Sequence, residues 1–163
     1  MGFDRTAWGD KVTDTSTTAQ YTLGTLRWAD HPTYGEVMWR YVKNDEAATN
    51  FVQGDVIQAK ASTLAWATGI LAATAKLPRN KVIGVADHTI AFGSYGWIIC
   101  LGRCQVESAA AVVANDTIMC DGTAGRAKTA TLTNADEVAA AFGIALEASS
   151  GAGALVDCKI SCL

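Results

Sequence analysis

The chain has 163 residues, a formal net charge of −3 and only 18% charged residues, although 50% are hydrophobic. That length suits one domain, with or without an extended arm. With no basic run there is no surface to track phosphates, so nucleic acid is not an expected partner.

No stretch free of charge is longer than the one between Lys60 and Lys76. It is too short to span a bilayer and holds Ser, Thr and Gly, so no membrane partner is expected. No export signal is legible in "MGFDRTAWGDKVTD". The expected state of the five cysteines is therefore reduced.

Residues 1–25 are rich in Thr, Asp and Gly and show no sustained helical period. They read as an N-terminal arm. Phe3, Trp8 and Tyr21 then need a partner surface, which need not belong to the same chain. Residues 26–163 read as a β domain. In "EVMWRYVK", Val37, Trp39 and Tyr41 share one face of a strand, and Glu36 and Arg40 share the other. "NDEAATN" is a turn or a single helical turn, and "FVQGDVIQAKA" is a Gly-Asp turn leading into a strand. "TLAWATGILAATA" suits two short strands hinged at Thr68-Gly69, or a buried helix. "KVIGVADHTIAFGSYGWIICLGRCQV" is β-rich and punctuated by Gly. "NADEVAAAFG" predicts a short helix capped by Asn134, with Glu137 three residues on and Gly143 beyond its end. "SSGAGA" (149–154) lacks the lysine of a phosphate loop and reads as a hairpin connection. The class is mainly β with little helix.

Short similarities recur along the chain. "GDVI" at 54–57 resembles "NDTI" at 115–118, "IGVA" at 83–86 resembles "FGIA" at 142–145, and Cys100 and Cys104 resemble Cys158 and Cys162. The order is kept, which points to two related halves, about 51–104 and 112–163.

The four paired cysteines pose the sharpest chemical question. In the last strand Val156, Cys158, Ile160 and Cys162 share a face; in the earlier one Ile98, Cys100, Gly102, Cys104 and Val106 do. Residues four apart on a strand are roughly 13 Å apart, too far for two sulfurs at about 2.3 Å from one zinc. Antiparallel pairing with Cys100 opposite Cys162 sets Cys104 opposite Cys158, Gly102 opposite Ile160 and Val106 opposite Val156. Parallel pairing or facing sheets also satisfy the pattern. A buried free cysteine behaves as a small hydrophobe. Core packing is the leading reading, with disulfides, metal or catalysis as the alternatives.

Other reactive groups are sparse. Asp87 and His88 are adjacent, so on a strand they point to opposite faces and make a poor dyad. His31 precedes Pro32 in "ADHPTYG", which reads as a turn. The carboxylate pairs Asp45-Glu46 and Asp136-Glu137 flank turns or a helix start. The five tryptophans lack the basic interleaving of a nucleic-acid surface.

The stretch "YTLGTLRWADHPTYGEVMWRYVKNDEAATNFVQGDVIQ" carries Leu23-Gly24-Thr25, Trp39-Arg40-Tyr41-Val42-Lys43, Ala47-Ala48 and Gly54; downstream stand Tyr95-Gly96-Trp97 and Gly143-Ile144-Ala145-Leu146. In these motifs the chain resembles tailed-bacteriophage capsid decoration proteins, also called cement proteins. The resemblance covers most of residues 21–163 through short motifs. The paired cysteines and the first 20 residues depart from the pattern. The resemblance implies a compact β-barrel or β-sandwich, commonly a homotrimer, on the outer face of an icosahedral capsid. Such a protein is made in the host cytoplasm and carried on the virion. Its partners are the major capsid protein and its own copies, with no cofactor, no metal and no small-molecule substrate. Phe3, Trp8 and Tyr21 become the expected anchors on the coat or on a neighbouring protomer. The rival expectations are a small oligomeric β-fold enzyme with Asp87, His88 or the cysteines at a cleft between chains, another virion part such as a fibre base, and a thiol-ligated metal protein.

Overall fold

The computed structural model describes residues 11–60 and 68–162. Its strands are β1 (Leu26–His31), β2 (Gly35–Asn44), β3 (Val56–Ala59), β4 (Thr68–Leu71), β5 (Val82–Val85), β6 (Tyr95–Glu107), β7 (Thr117–Cys120), β8 (Ala127–Thr129), β9 (Ala141–Ala145) and β10 (Leu155–Ser161). One helix, α1 (Ala135–Ala140), and one 3₁₀ turn at Arg79–Lys81 complete the regular elements among the described residues.

The strands form a single sheet in the order β1-β2-β4-β3-β5-β6-β10-β9-β7-β8, and β2 also pairs with β6. That extra pairing closes β2, β4, β3, β5 and β6 into a ring. A second circuit runs through β6, β10, β9, β7 and β8. It is completed by a parallel bridge from Ser108, just past β6, to Ala127 of β8. The 13 residues of β6 are long enough to serve both rings. Closing strands on one another removes edges that would otherwise seek partners.

The same hydrogen bonds recur in the two rings about 60 residues apart. Gly54 N–H donates to the Ala86 carbonyl at 2.8 Å, and Asn115 N–H to the Ala145 carbonyl at 2.9 Å. Ala86 N–H returns to the Asp55 carbonyl at 2.9 Å, and Ala145 N–H to that of Asp116 at 2.8 Å. Gly54 has φ +92° and Asn115 φ +73°. Asn is among the few side chains that tolerate this left-handed backbone, which is why it can stand where the first ring has glycine.

The strand faces follow the alternation, with one shift. Val37, Trp39 and Tyr41 of β2 are buried together, and Arg40 on the other face is buried too, donating from Nη1 to the Ile83 carbonyl at 2.9 Å. A bulge in the β2–β6 pairing sets Met38 opposite Leu101 but Trp39 opposite Ile99, so Cys100 is the extra residue. The face therefore changes at Cys100. Trp97 and Ile99, not Ile98, join the core that holds the cysteines, while Ile98 packs with Val42, Phe51, Ile57, Ile83 and Ile90 inside the first ring. This corrects the simple alternation expected for 98–106, and the cause is the bulge.

One local expectation also changes. The capped segment is helical, and the Asn134 side chain accepts the Asp136 N–H at 3.0 Å, but Ala141 leads straight into β9. Gly143 lies inside that strand, where a Cβ would come within 2.8 Å of the Lys159 carbonyl oxygen. In "TLAWATGILAATA" one strand, Thr68–Leu71, is formed, and residues 61–67 lie outside the described set.

Candidate functional site

The cysteines stand where the last strand meets the shared one. β10 runs antiparallel to β6 with Cys158 opposite Cys104, Ile160 opposite Gly102 and Val156 opposite Val106. Cys162 N–H donates to the Cys100 carbonyl at 2.8 Å, extending the same register. All five cysteines are free and buried. Burial pushes the thiol of Cys100 up to about 11 and those of Cys120 and Cys158 to about 12, and it raises Cys104 and Cys162 as well. A thiol held this far above neutral is not a nucleophile at physiological pH. Among the described residues, no three His, Cys, Asp or Glu side chains are grouped to hold a metal ion.

Cys158 lines the interior of the second ring. Through the matched bonds of Ala86 and Ala145, Cys158 occupies in the second ring the position that Ile98 holds in the first, as Val112 does for Phe51 and Ser149 for Ile90, so the likeness of Cys100 and Cys104 to Cys158 and Cys162 in the sequence is not an equivalence of position. With these smaller residues the second interior keeps a void of about 10 Å³ lined by Val106, Val112, Ile118, Ala127, Val156, Cys158 and Ser108. That is barely the size of one water, and the Ser108 hydroxyl already donates to the Gly151 carbonyl at 2.8 Å. It is a packing defect and too small for a ligand.

The polar cluster that sequence reasoning missed joins His31 to Asp87, 56 residues away. His31 Nε2 lies 3.0 Å from Asp87 Oδ2, and both side chains are 9% exposed. Nδ1 accepts N–H groups from Thr33 at 3.0 Å and Tyr34 at 3.2 Å. Nδ1 must then be unprotonated, and Nε2 carries the proton donated to Asp87. Tyr34 stacks on the imidazole at 4.4 Å and donates its hydroxyl to Asp157 Oδ1 at 3.2 Å, and Arg103 reaches Asp157 Oδ2 at 2.8 Å. Burial, with Asp157 beside it, pushes Tyr34 up to about 12. Both imidazole nitrogens hold structural bonds, so the cluster pins the β1–β2 hairpin tip to β6, β10 and the β5–β6 connection. Asp87 thus pairs with His31 and not with its neighbour. His88 is pushed down by burial, and its ring nitrogens are enclosed.

Residues 11–25 return onto their own domain. Ser16 and Tyr95 exchange backbone bonds of 3.1 and 2.7 Å, and Gln20 N–H donates to the Tyr41 hydroxyl at 3.0 Å. Tyr21 sits 5.2 Å from the rings of both Tyr41 and Trp97. Its ring therefore packs on the chain's own aromatic face. Phe3 and Trp8 lie outside the described residues.

What this geometry defines is a mainly β protein of two strand rings sharing one long strand, with buried thiols and a pinned hairpin. No protein family matches the chain, and no curated protein matches its sequence. Among solved structures it is similar to the N base of the head fibre protein gp8.5 of bacteriophage phi29, with a TM-score of 0.52 and 17% identity, over 76% of this chain and 92% of that one. The likeness is one of fold.

Proposed function

We propose that this chain is a structural component of a bacteriophage virion that binds the outer surface of the capsid and bridges neighbouring coat subunits as a homotrimer. It acts through contact area, with no catalytic step, cofactor or small-molecule substrate. The observation that supports this most is the fold shared with a phage head-fibre base along nearly all of that base, joined to the decoration-protein motifs along residues 21–163.

The mechanism is avidity. A shell under pressure from packaged DNA is held by many weak contacts, and linking them in one trimer raises the effective concentration of each. A stable contact needs on the order of 1,200–2,000 Å². Since residues 11–25 are tied to their own sheet, reach falls to residues 1–10, which span up to about 33 Å when extended. Phe3 and Trp8 are the proposed anchors, aromatic residues being frequent hot spots.

The same structural likeness favours a second reading, a fibre base or other minor virion component. The two differ in copy number relative to the major coat protein. The test is to add purified protein to expanded shells that lack it, and to measure occupancy and rupture temperature. A native mass of about 51 kDa, three times 17.1 kDa, with saturable binding and a raised rupture temperature is expected. Shells that neither bind it nor gain robustness would overturn the proposal. Low, symmetry-restricted occupancy would favour the fibre base. Deleting residues 1–10 is expected to lower occupancy.

A further inference from the structure

Four of the five cysteines stand in two facing pairs along β6 and β10. Both ends of that ladder are fixed by bonds of one register: Ser108 N–H donates to the Ala154 carbonyl at 2.9 Å, and Cys162 N–H to the Cys100 carbonyl at 2.8 Å. Cys104 and Cys158 lie midway between these ends and face each other, with no register shift along the ladder. In an antiparallel ladder, pairs two residues apart are of the same kind, so both cysteine pairs are hydrogen-bonded pairs with Cα atoms about 5.5 Å apart. All four side chains belong to one buried cluster. A disulfide needs Cα atoms roughly 4.4–6.8 Å apart, most often about 5.5–6 Å, so neither pair requires the backbone to move. Cys120 is left over, since on β7 it stands opposite Ala127.

We propose that Cys104–Cys158 and Cys100–Cys162 are two disulfide sites, closed by a low-molecular-weight disulfide in an oxidising medium and open in a reducing one, and that closing them staples β10 to β6. The inference stands apart from the virion reading. The two bridges close loops that contain β7, β8, α1 and β9, so they restrict the unfolded chain far more than the folded one.

Burial of the thiols sets the route. Closure needs local opening of β10, which among the described residues pairs with β9 only from Cys158 to Ile160. A thiolate in the opened strand attacks one sulfur of the small disulfide and expels a thiolate. The facing cysteine, deprotonated in turn, attacks the protein sulfur of that mixed disulfide and expels the second thiolate. Two protein thiols are oxidised, the small disulfide is reduced to two thiols, and these take up the two cysteine protons. At Cys100 the thiol also gives up its weak bond to the Met38 carbonyl, 3.4 Å away.

The test is to incubate the reduced full-length protein with oxidised glutathione at pH 8, then to unfold it, alkylate the remaining thiols and map the linked peptides by mass spectrometry. Free thiols are expected to fall from five to one, that one being Cys120, with links Cys104–Cys158 and Cys100–Cys162. Urea titration should show the folding equilibrium constant of the bridged protein raised at least tenfold over the reduced one. Cys120→Ala should form the same two links, and Cys104→Ala should keep only Cys100–Cys162. A protein that stays reduced after days of incubation overturns the inference. So do links that involve Cys120 or join separate chains, and so does a bridged form no more stable than the reduced one.

Discussion

Asp55 and Asp116 make the same bond in the two rings: each carboxylate accepts the N–H of the residue three before it, Val52 at 2.7 Å and Val113 at 3.0 Å. Their surroundings differ. Asp116 is half-buried and also accepts the Thr129 hydroxyl at 2.8 Å. Asp55 is 5% exposed and lies in the seam where the β7–β8 hairpin crosses the first ring. Val56 N–H donates there to the Gly125 carbonyl at 2.8 Å, and Gly125 N–H to the Ala72 carbonyl at 3.0 Å.

Burial raises Asp55 from 3.8 to about 6, against the pull of the Val52 N–H, and Glu107 adds to the rise. The folded protein then holds this proton more tightly than the unfolded chain. The penalty of the ionised carboxylate is present above about pH 6 and is relieved as pH falls toward 4. Asp55→Asn keeps an acceptor for Val52 and removes the buried charge. It is expected to be more stable than the wild type at pH 7.5, by at most about 3 kcal/mol, with a flatter stability profile between pH 4 and 6. Urea denaturation across that range checks both points. A variant less stable at pH 7.5 would show that ionised Asp55 favours the seam.

Gly125→Ala should break the same seam. The position has φ +75°, and a Cβ there would overlap Asp55 Oδ1. Left-handed strain plus the clash is expected to cost about 2 kcal/mol or more. Alanine at Gly151, where a Cβ meets nothing within 4 Å, is the comparison. Equal midpoints in urea for the two variants would refute the seam's rigidity.

Thiol chemistry follows from burial. The native protein at pH 8 is expected to resist an aromatic disulfide reagent, and the denatured protein to titrate five thiols. Cys158→Ser places a hydroxyl in an apolar interior and should cost about 1–3 kcal/mol. Rapid native labelling at several sites would contradict the buried thiols.

The hairpin pin makes a graded prediction. Tyr34→Phe loses one hydroxyl bond to Asp157 and should cost about 1 kcal/mol. His31→Phe keeps a ring but strands the Asp87 carboxylate and two turn N–H groups, and should cost about 3 kcal/mol. Equal losses in urea titrations of the two variants would mean that the stacking, not the imidazole bonds, holds the hairpin.

Much of this architecture is legible in the sequence. The alternation in "LVDCKISCL" and around Cys104 is a property of neighbouring residues, and small Gly102 facing Ile160 made the antiparallel register readable. The matched "GDVI" and "NDTI" stretches fall where the hydrogen bonds recur, because the Gly or Asn and the Asp are needed by the turn itself. The bulge at Cys100 was not legible, since it depends on how Met38 and Trp39 register against β6. The His31–Asp87 pair was hidden for the same reason, its partners being 56 residues apart.

Local chemistry in the chain thus determined the β class, the inward-facing thiols and the capped start of α1, because backbone geometry and side-chain alternation act over a few residues. Only the tertiary structure decided that β6 serves two rings, that Tyr21 folds back on Trp97, and that Asp55 is sealed in a seam while Asp116 is not. Those features depend on which distant strands meet, and burial, which sets their energies, exists only once they have met.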